Sequence, residues 1–244
     1  MEEIIAVQDL TKRFGKFTAV NGITFNIKQG EIMGFLGPNG AGKTTTIKML
    51  NGLLKISGGR AWIKGCDAEK ERKKIKPLIG YMSQKFSLYP LLTALENIEF
   101  FGGISGLSAS EIRHRQGQIR EKVAEERLLD QKIADLPPGI KQQVALFVCL
   151  MTDPEIIFLD EPTSGVDPET RRRFWNEIYT LKTAGKTVLV TTHNLDEAEY
   201  ADRILIIHRG NLILEGEPEQ LVTAHGADSI ETLFKEAIAR NETS

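Results

Sequence analysis

The stretch EIMGFLGPNGAGKTTTIKMLNGLL, residues 31–54, constrains the fold more than any other part of the chain. An apolar run of strand length passes straight into a glycine-rich loop, and apolar residues then recur at helical spacing at Ile47, Leu50, Leu53 and Leu54. Between strand and helix, Gly37, Pro38, Asn39, Gly40, Ala41, Gly42, Lys43 and Thr44 fit the pattern G-x-x-x-x-G-K-[ST]. The glycines let successive backbone N–H groups turn inward around phosphate oxygens, and the helix N-terminus adds positive potential. Lys43 has the reach for the outer phosphates, and the Thr44 hydroxyl suits Mg²⁺. A chance glycine turn has the same letters but does not demand the flanking strand and helix.

A second motif complements the first. IIFLDE, Ile156 to Glu161, buries four apolar residues and delivers Asp160 at the strand's C-terminal edge, where a carboxylate can organise a Mg²⁺ shell. Glu161 follows, facing the other way, placed to orient or deprotonate water; the alternative is a solvated strand-end acid. His193 closes the apolar segment TVLVTTH. It is either structural or, at the carboxyl end of a parallel strand where ligands bind in such sheets, a γ-phosphate contact. Gln84 ends IGYMSQ and gains its weight from position rather than residue type.

Around these motifs the texture is α/β. Strands are expected in IIAVQDL and ITFNI, with turns at Asn21-Gly22 and Gln29-Gly30, and again near residues 61–63 and 79–81. From about Lys85 to Met151 the pattern is helical, with a capping-box pair at Ser108 and Glu111 opening a charged helix to about Arg127. Beyond it, IIFLD, TVLVTT, RILIIH and NLILEG read as strands, the last two as a hairpin about Arg209-Gly210. PETRRRFWNEIYTLKTAG, LDEAEYA and residues 229–240 read as helices. Strands alternating with helices imply a mostly parallel sheet.

Composition excludes several classes. A 41% hydrophobic and 26% charged chain is expected to be globular, and a net charge of −2 gives no basic footprint for nucleic acid. Cys66 and Cys149 lack metal-type spacing and read as a turn residue and a core residue. The acidic start MEEIIAVQDL is unlike a signal peptide, and no apolar run reaches the ~18 residues of a membrane span. A cytoplasmic location is expected, with any membrane role supplied by a partner.

GPNGAGKTT, YMSQ, FLDEPTSGVD and TTH, in this order over nearly the whole chain, resemble the ATP-binding subunit of an ABC transporter. The resemblance implies a P-loop NTPase core with a mostly parallel sheet, an antiparallel β region and an inserted α-helical subdomain. The core would comprise residues 1–84 and 152–244, and the helical subdomain residues 85–151. It makes Gly37 to Thr45 the Walker A loop and Gln84 the Q-loop residue. Asp160 closes Walker B, Glu161 is the base, and His193 is the switch histidine. Ser164, Gly165, Val166 and Asp167 form the D-loop. Thr44, Gln84 and Asp160 would hold Mg²⁺ with ATP. Phe14 matches the aromatic that stacks on adenine; an ordinary strand-edge aromatic is the equal alternative.

In that family two cassettes pair head to tail, each ATP lying between one Walker A loop and the partner's signature loop, usually LSGGQ. Here Leu136, Pro137, Pro138, Gly139 and Ile140 stand in its place. The serine hydroxyl is gone and proline has no N–H, leaving the amides of Gly139 and Ile140 and a helix N-terminus to face a phosphate. A lost charge-assisted bond costs ~1.5–3 kcal/mol, roughly a 10- to 150-fold weakening. Slow intrinsic hydrolysis, accelerated by a membrane partner, is the expectation. The LPxGxxQ pattern with Gln142 also resembles ATPases of two-subunit exporters of drugs and hydrophobic cargo; Pro138 and Gln143 depart from that subgroup.

Phe86, Leu88, Tyr89, Leu91 and Leu92, just past Gln84, divide between core packing and a surface gripping a transmembrane permease subunit. The mixed-charge runs at residues 69–76 and 113–122 read as solvated faces, and Arg171 to Arg173 as surface ion pairs. The leading expectation is therefore a peripheral export ATPase at the cytoplasmic face of the cell membrane, working with a second cassette and without nucleic acid. The loop and the lack of a long C-terminal extension favour export. The alternative is an ABC-type ATPase acting on the ribosome or nucleic acid; such proteins usually carry tandem cassettes or a coiled-coil insertion, and neither is present. A P-loop GTPase or kinase would lack the signature helix.

Overall fold

The computed structural model describes residues 2–84, 88–123 and 125–243. Two 12-residue strands open the chain, β1 (Glu3–Phe14) and β2 (Phe17–Lys28), paired antiparallel. The reversal falls at Gly15, with φ 58°, not at Asn21-Gly22. Asn21 and Gly22 lie inside β2, in an irregular stretch of the ladder where the Gly22 N–H goes to the Thr11 hydroxyl. The expected turn there is a distortion within a longer strand. β4 (Gly58–Ile63) and β5 (Cys66–Asp67) complete this antiparallel sheet in the order β2-β1-β4-β5, separated in sequence from β2 by β3 (Ile32–Leu36) and α1 (Lys43–Leu50).

After α2 (Arg72–Ile75) comes β6 (Ile79–Met82), followed by α3 (Ala94–Ile104), α4 (Ala109–Lys122) and α5 (Pro138–Leu150). Then β7 (Ile156–Asp160), α6 (Pro168–Thr183) and β8 (Thr187–Thr192) alternate before β9 (Arg203–His208), β10 (Asn211–Gly216), α7 (Pro218–His225) and α8 (Ile230–Thr243). The second sheet runs β10-β9-β3-β8-β7-β6 and is parallel except for the β9–β10 hairpin. That hairpin turns at Arg209-Gly210, with φ 48° and 80°, where the sequence places it.

The parallel strands are buried on both faces, which is why they read as unbroken apolar runs. In β3, Met33 and Phe35 join the core shared with the antiparallel sheet and α1, while Ile32 and Leu36 join the opposite core with Phe174, Trp175 and Ile178 of α6. β7 alternates likewise, Phe158 on one side and Leu159 on the other. A third cluster, from Ala94 and Ile98 through Leu136 to Met151, lies within the helical stretch. The capping box at Ser108 and Glu111 forms as expected.

Several expected boundaries move. α1 stops at Leu50 because Asn51 and Gly52 (φ 67°) close it, leaving Leu53 exposed. α4 stops at Lys122, since Val123 turns extended to bury itself in the third cluster. LDEAEYA forms a 3₁₀ segment, Leu195–Tyr200, rather than an α-helix. α7, opened by Pro218 and closed by Gly226, has no counterpart in the sequence expectations. Among the described residues no helix is long and apolar enough to cross a membrane.

Candidate active site

The glycine loop joins β3 to α1 where the sequence demands it. A Cβ at Gly37 would lie 2.2 Å from the Ile207 carbonyl oxygen, and one at Gly42, whose φ is 112°, 2.6 Å from that of Ala19. Neighbouring strands thus crowd the loop so closely that no side chain fits at either position. The Arg209-Gly210 turn braces it further: the Gly210 N–H donates to the Ala41 carbonyl, and the Gly210 carbonyl accepts from Asn21 N–H. Pro38, Asn39 and Gly40 are exposed, Ala41 is buried, and Thr44 and Thr45 are half-buried at the head of α1.

Lys43 is buried, its ammonium donating to the carbonyls of Gly37 (2.6 Å) and Pro38 (3.2 Å) and lying 3.4 Å from Glu161 Oε1. Burial pulls the Lys43 ammonium below the usual lysine range, and the Glu161 and Asp160 carboxylates oppose that shift. Glu161 is 6% exposed and sits at φ 49°, a left-handed conformation rare for a side-chain-bearing residue. Besides Lys43 it accepts from Gln84 Nε2 at 2.9 Å and lies 3.2 Å from His193 Nδ1. Three segments drawn from between residues 43 and 193 thus converge on one carboxylate. His193 is 45% exposed, so its ring can face a ligand as well as Glu161.

Asp160 lies beside this group. Thr44 Oγ1 and Thr191 Oγ1 both donate to its Oδ1 at 2.8 Å, and the Tyr81 hydroxyl approaches Oδ2 at 3.4 Å. Burial against that carboxylate pushes the Tyr81 hydroxyl well above the usual phenol range, so it stays a donor. Thr191 is a member of this group that motif reading missed. Fully buried in β8 and paired with Asp160 across the β7–β8 ladder, it also accepts the Glu161 N–H at 2.9 Å. The only sequence cue was a pair of hydroxyls, Thr191 and Thr192, closing a strand with an apolar middle.

Gln84 is exposed and gives its amide N–H to Glu161; Thr44 and Asp160 are the two expected metal-holding groups in direct contact. Phe14 ends β1 at the hairpin tip, half exposed, with Lys12 Nζ 4.9 Å from its ring centroid. Phe86 lies outside the described residues. Leu88 and Leu92 are half-buried, Tyr89 packs edge-on against Phe100 with centroids 4.7 Å apart, and Leu91 is 75% exposed.

The signature-like loop stands apart from the Glu161 group. Leu136 is buried in the third cluster, Pro137 occupies the N-cap of α5 with no side-chain cap, and Pro138 is its first residue. The Ile140 N–H turns back to the Pro137 carbonyl at 3.1 Å, so the expectation of two outward amides reduces to that of Gly139. Pro137 to Ile140 line one wall of a groove of about 820 Å³, and Gly165, Val166 and Asp167 line the other. Ser164 and Gly165 also edge a second cavity of about 400 Å³ reaching Glu161 and His193. Asp167 caps α6, accepting from the N–H of Thr170 at 2.9 Å and its hydroxyl at 2.6 Å. Gln142, buried in α5, donates to the Pro162 carbonyl at 2.6 Å and so ties the signature helix to the residue after Glu161. Arg173 makes the expected surface pair with Glu169, but Arg171 turns inward to buried Glu197.

A glycine loop leaving one parallel strand, an acidic pair leaving the next but one and a histidine leaving the strand between define a phosphate-loop nucleotide-binding protein. The model of the family described as "ABC transporter" matches residues 20–164, and this chain belongs to that family. It is 47% identical over 220 residues to the probable multidrug ABC transporter ATP-binding protein YbhF of Escherichia coli strain K12, covering 90% of this chain but only 38% of the relative. The linearmycin resistance ATP-binding protein LnrL of Bacillus subtilis is 38% identical, with 93% of this chain and 73% of that protein covered. Among solved structures, a nucleotide-free ATP-binding cassette from an ABC transporter superposes with a TM-score of 0.83 at 26% identity, over 96% of this chain and 99% of the other. A dimeric cassette in a post-hydrolysis state bound to ADP and Pi gives 0.77 at 32% identity, over 87% and 98%. The fold is the α/β fold of ABC cassettes, with both parallel and antiparallel strands.

Proposed function

We propose that this chain is the ATP-hydrolysing subunit of an ABC exporter, driving a small hydrophobic or drug-like cargo through separate membrane subunits. The observation that carries this reading is the convergence of Lys43, Gln84 and His193 on the buried Glu161, beside the Thr44–Asp160 pair. The names of relatives, which include linearmycin and daunorubicin resistance and Nod factor export proteins, support the cargo class and the direction.

The placement of the residues supports the following roles. Backbone amides from Gly37 to Thr45 hold the phosphates, and Lys43 exchanges its carbonyl and Glu161 contacts for phosphate oxygens. Glu161 receives a proton from the attacking water, and His193 and Gln84 keep its carboxylate aimed. Phe14 offers its exposed face to the base. Thr44 and Asp160 present hard oxygen donors already in contact, a set that suits Mg²⁺, which keeps much of its shell for water and phosphate. These two, with the Gln84 carboxamide oxygen, would hold the ion, and it would neutralise charge on the transferred phosphoryl group.

Residues 1–84 and 152–244 act as the ATP-binding core and 85–151 as the arm that carries the signature loop. The groove between Pro137–Ile140 and Val166–Asp167 faces a second cassette, same or different in sequence. The Tyr89, Leu91 and Phe100 surface meets the membrane subunit at the cytoplasmic face, where the chain is peripheral.

The test is affinity capture of the tagged chain from detergent-solubilised membranes of its host, with ATP hydrolysis measured on the complex and on the chain alone. A multi-spanning partner, faster hydrolysis in the complex and loss of hydrolysis with Glu161→Gln are expected. Capture of ribosomal or nucleic-acid-associated chains without any membrane protein would overturn the transport reading.

A further inference from the structure

Two residues past Glu161, the chain makes an attachment that the motif set does not explain. Thr163 Oγ1 donates to Glu197 Oε1 at 2.6 Å. Glu197 belongs to the 3₁₀ segment that follows His193 and is only 2% exposed. Its partner charge is Arg171 in the first turn of α6, with Nε 3.3 Å from the same oxygen. A carboxylate so deeply buried is costly to keep unless it is paired, and removing one partner strands the other charge. Glu197 therefore ties together three pieces of chain: the exit from Glu161, the start of α6 beyond Ser164–Asp167, and the segment behind His193.

Among the described residues, the second oxygen of Glu197 and the Arg171 Nε find no hydrogen-bond partner. The same residues wall the cavity of about 400 Å³ that also touches Glu161, Ser164, Gly165 and His193. The attachment thus brackets the segment in sequence: Thr163 directly precedes Ser164–Asp167, Arg171 lies in the first turn of the helix that follows it, and Glu197 lies in the 3₁₀ segment that follows His193. One residue before Thr163, the Pro162 carbonyl is gripped by Gln142. Residues 161–163 are thereby held one after another by β8, by α5 and by Glu197.

We propose that Glu197 is a positioning residue for ATP hydrolysis, acting through Thr163 and Arg171 to fix the Ser164–Asp167 segment relative to His193. This rests on the reading of Glu161 as the base. No group in this attachment need contact nucleotide, so its loss should slow turnover rather than weaken ATP binding.

Three variants of the full chain test it. Glu197→Gln keeps the volume and an acceptor for Thr163 but removes the charge facing Arg171. Thr163→Val removes the hydroxyl at nearly constant shape, and Thr163→Ser restores it. In steady-state hydrolysis, corrected for folded fraction by thermal denaturation, kcat is expected to fall roughly tenfold in Thr163→Val, about what the loss of a hydrogen bond to a charged group supplies. It should fall in the same direction in Glu197→Gln, which leaves Arg171 without its partner charge. KM for ATP should stay within about twofold, and Thr163→Ser should retain most of the wild-type kcat. Should Glu197→Gln not fold, the Thr163 pair decides alone. A kcat in Thr163→Val close to that of wild type, or one in Thr163→Ser as low as in Thr163→Val, overturns the proposal. Glu161→Gln run alongside separates the two failures: if it hydrolyses ATP normally, the site reading itself falls.

Discussion

Thr191→Val is the sharpest probe of how the acidic pair is held. The threonine hydroxyl makes two hydrogen bonds from a fully buried position, to Asp160 Oδ1 at 2.8 Å and from Glu161 N–H at 2.9 Å. Valine has the same shape and makes neither. Neither partner is orphaned, however. Asp160 keeps Thr44, and the Glu161 N–H keeps the Thr191 carbonyl at 3.2 Å. The dominant loss is one bond to an ionised carboxylate, about 1.5–3 kcal/mol. For a domain of this size each kcal/mol moves Tm by roughly 2–4 °C, so a fall of about 3–12 °C is expected. Glu161 also holds a φ of 49°, which costs of order 1–3 kcal/mol and persists only where its surroundings impose it. With one constraint gone, the Glu161 carboxylate should wander and, on the proposed role, kcat should drop about tenfold while KM for ATP holds. Thr191→Ser loses only a buried methyl, about 0.8 kcal/mol, and should keep kcat. Thermal denaturation and steady-state hydrolysis on the three proteins decide the matter. A Thr191→Val protein that melts within about 1 °C of wild type with unchanged kcat would refute the argument.

Restoring serine and glycine at Pro137 and Pro138 should raise the hydrolysis rate of the isolated chain. The new N-cap contributes about 1 kcal/mol and the lost prolines forgo a comparable unfolded-state constraint, so Tm should scarcely move; a flat or lower rate removes the reasoning. Gln142→Leu leaves the buried Pro162 carbonyl without its donor, an expected loss of about 1–3 kcal/mol read as a lower denaturant midpoint with an unchanged m-value. Asp167 is held below the usual carboxylate range chiefly by the Thr170 hydroxyl and also by its N–H. Its contribution is therefore present above the ordinary carboxylate pKa and is lost as pH falls through the depressed folded value. Asp167→Asn should flatten that acid limb in stability measured against pH, and an unchanged limb would assign it to other groups.

The phosphate loop was legible because its chemistry is local. Gly37 and Gly42 are demanded by contacts the fold supplies, yet their spacing before Lys43 and Thr44 already declares the loop, and the apolar run ahead of it declares the strand. Asp160, Glu161 and His193 were legible for the same reason: a parallel strand buried on both faces is an uninterrupted apolar run, so a polar residue ending it stands out. The turn at Asn21-Gly22 misled because a bulge and a turn use the same residues, and only the partner strand distinguishes them. α7 escaped because a short helix held by packing leaves little periodicity to read.

By itself the sequence determined the class of fold and the chemical kinds of group at the carboxyl edge of its parallel sheet, because strand burial, loop glycines and strand-end charges are written in adjacent residues. What only the tertiary structure decided is how those groups bear on one another. Thr191 beneath the acidic pair, Gln142 gripping Pro162, and Glu197 taking Arg171 inward from an apparent surface run all join residues at least twenty apart. Such partners meet only when strands, helices and turns have packed. Distance across the fold, which no local pattern encodes, sets whether a hydroxyl or an arginine is solvent-facing or structural.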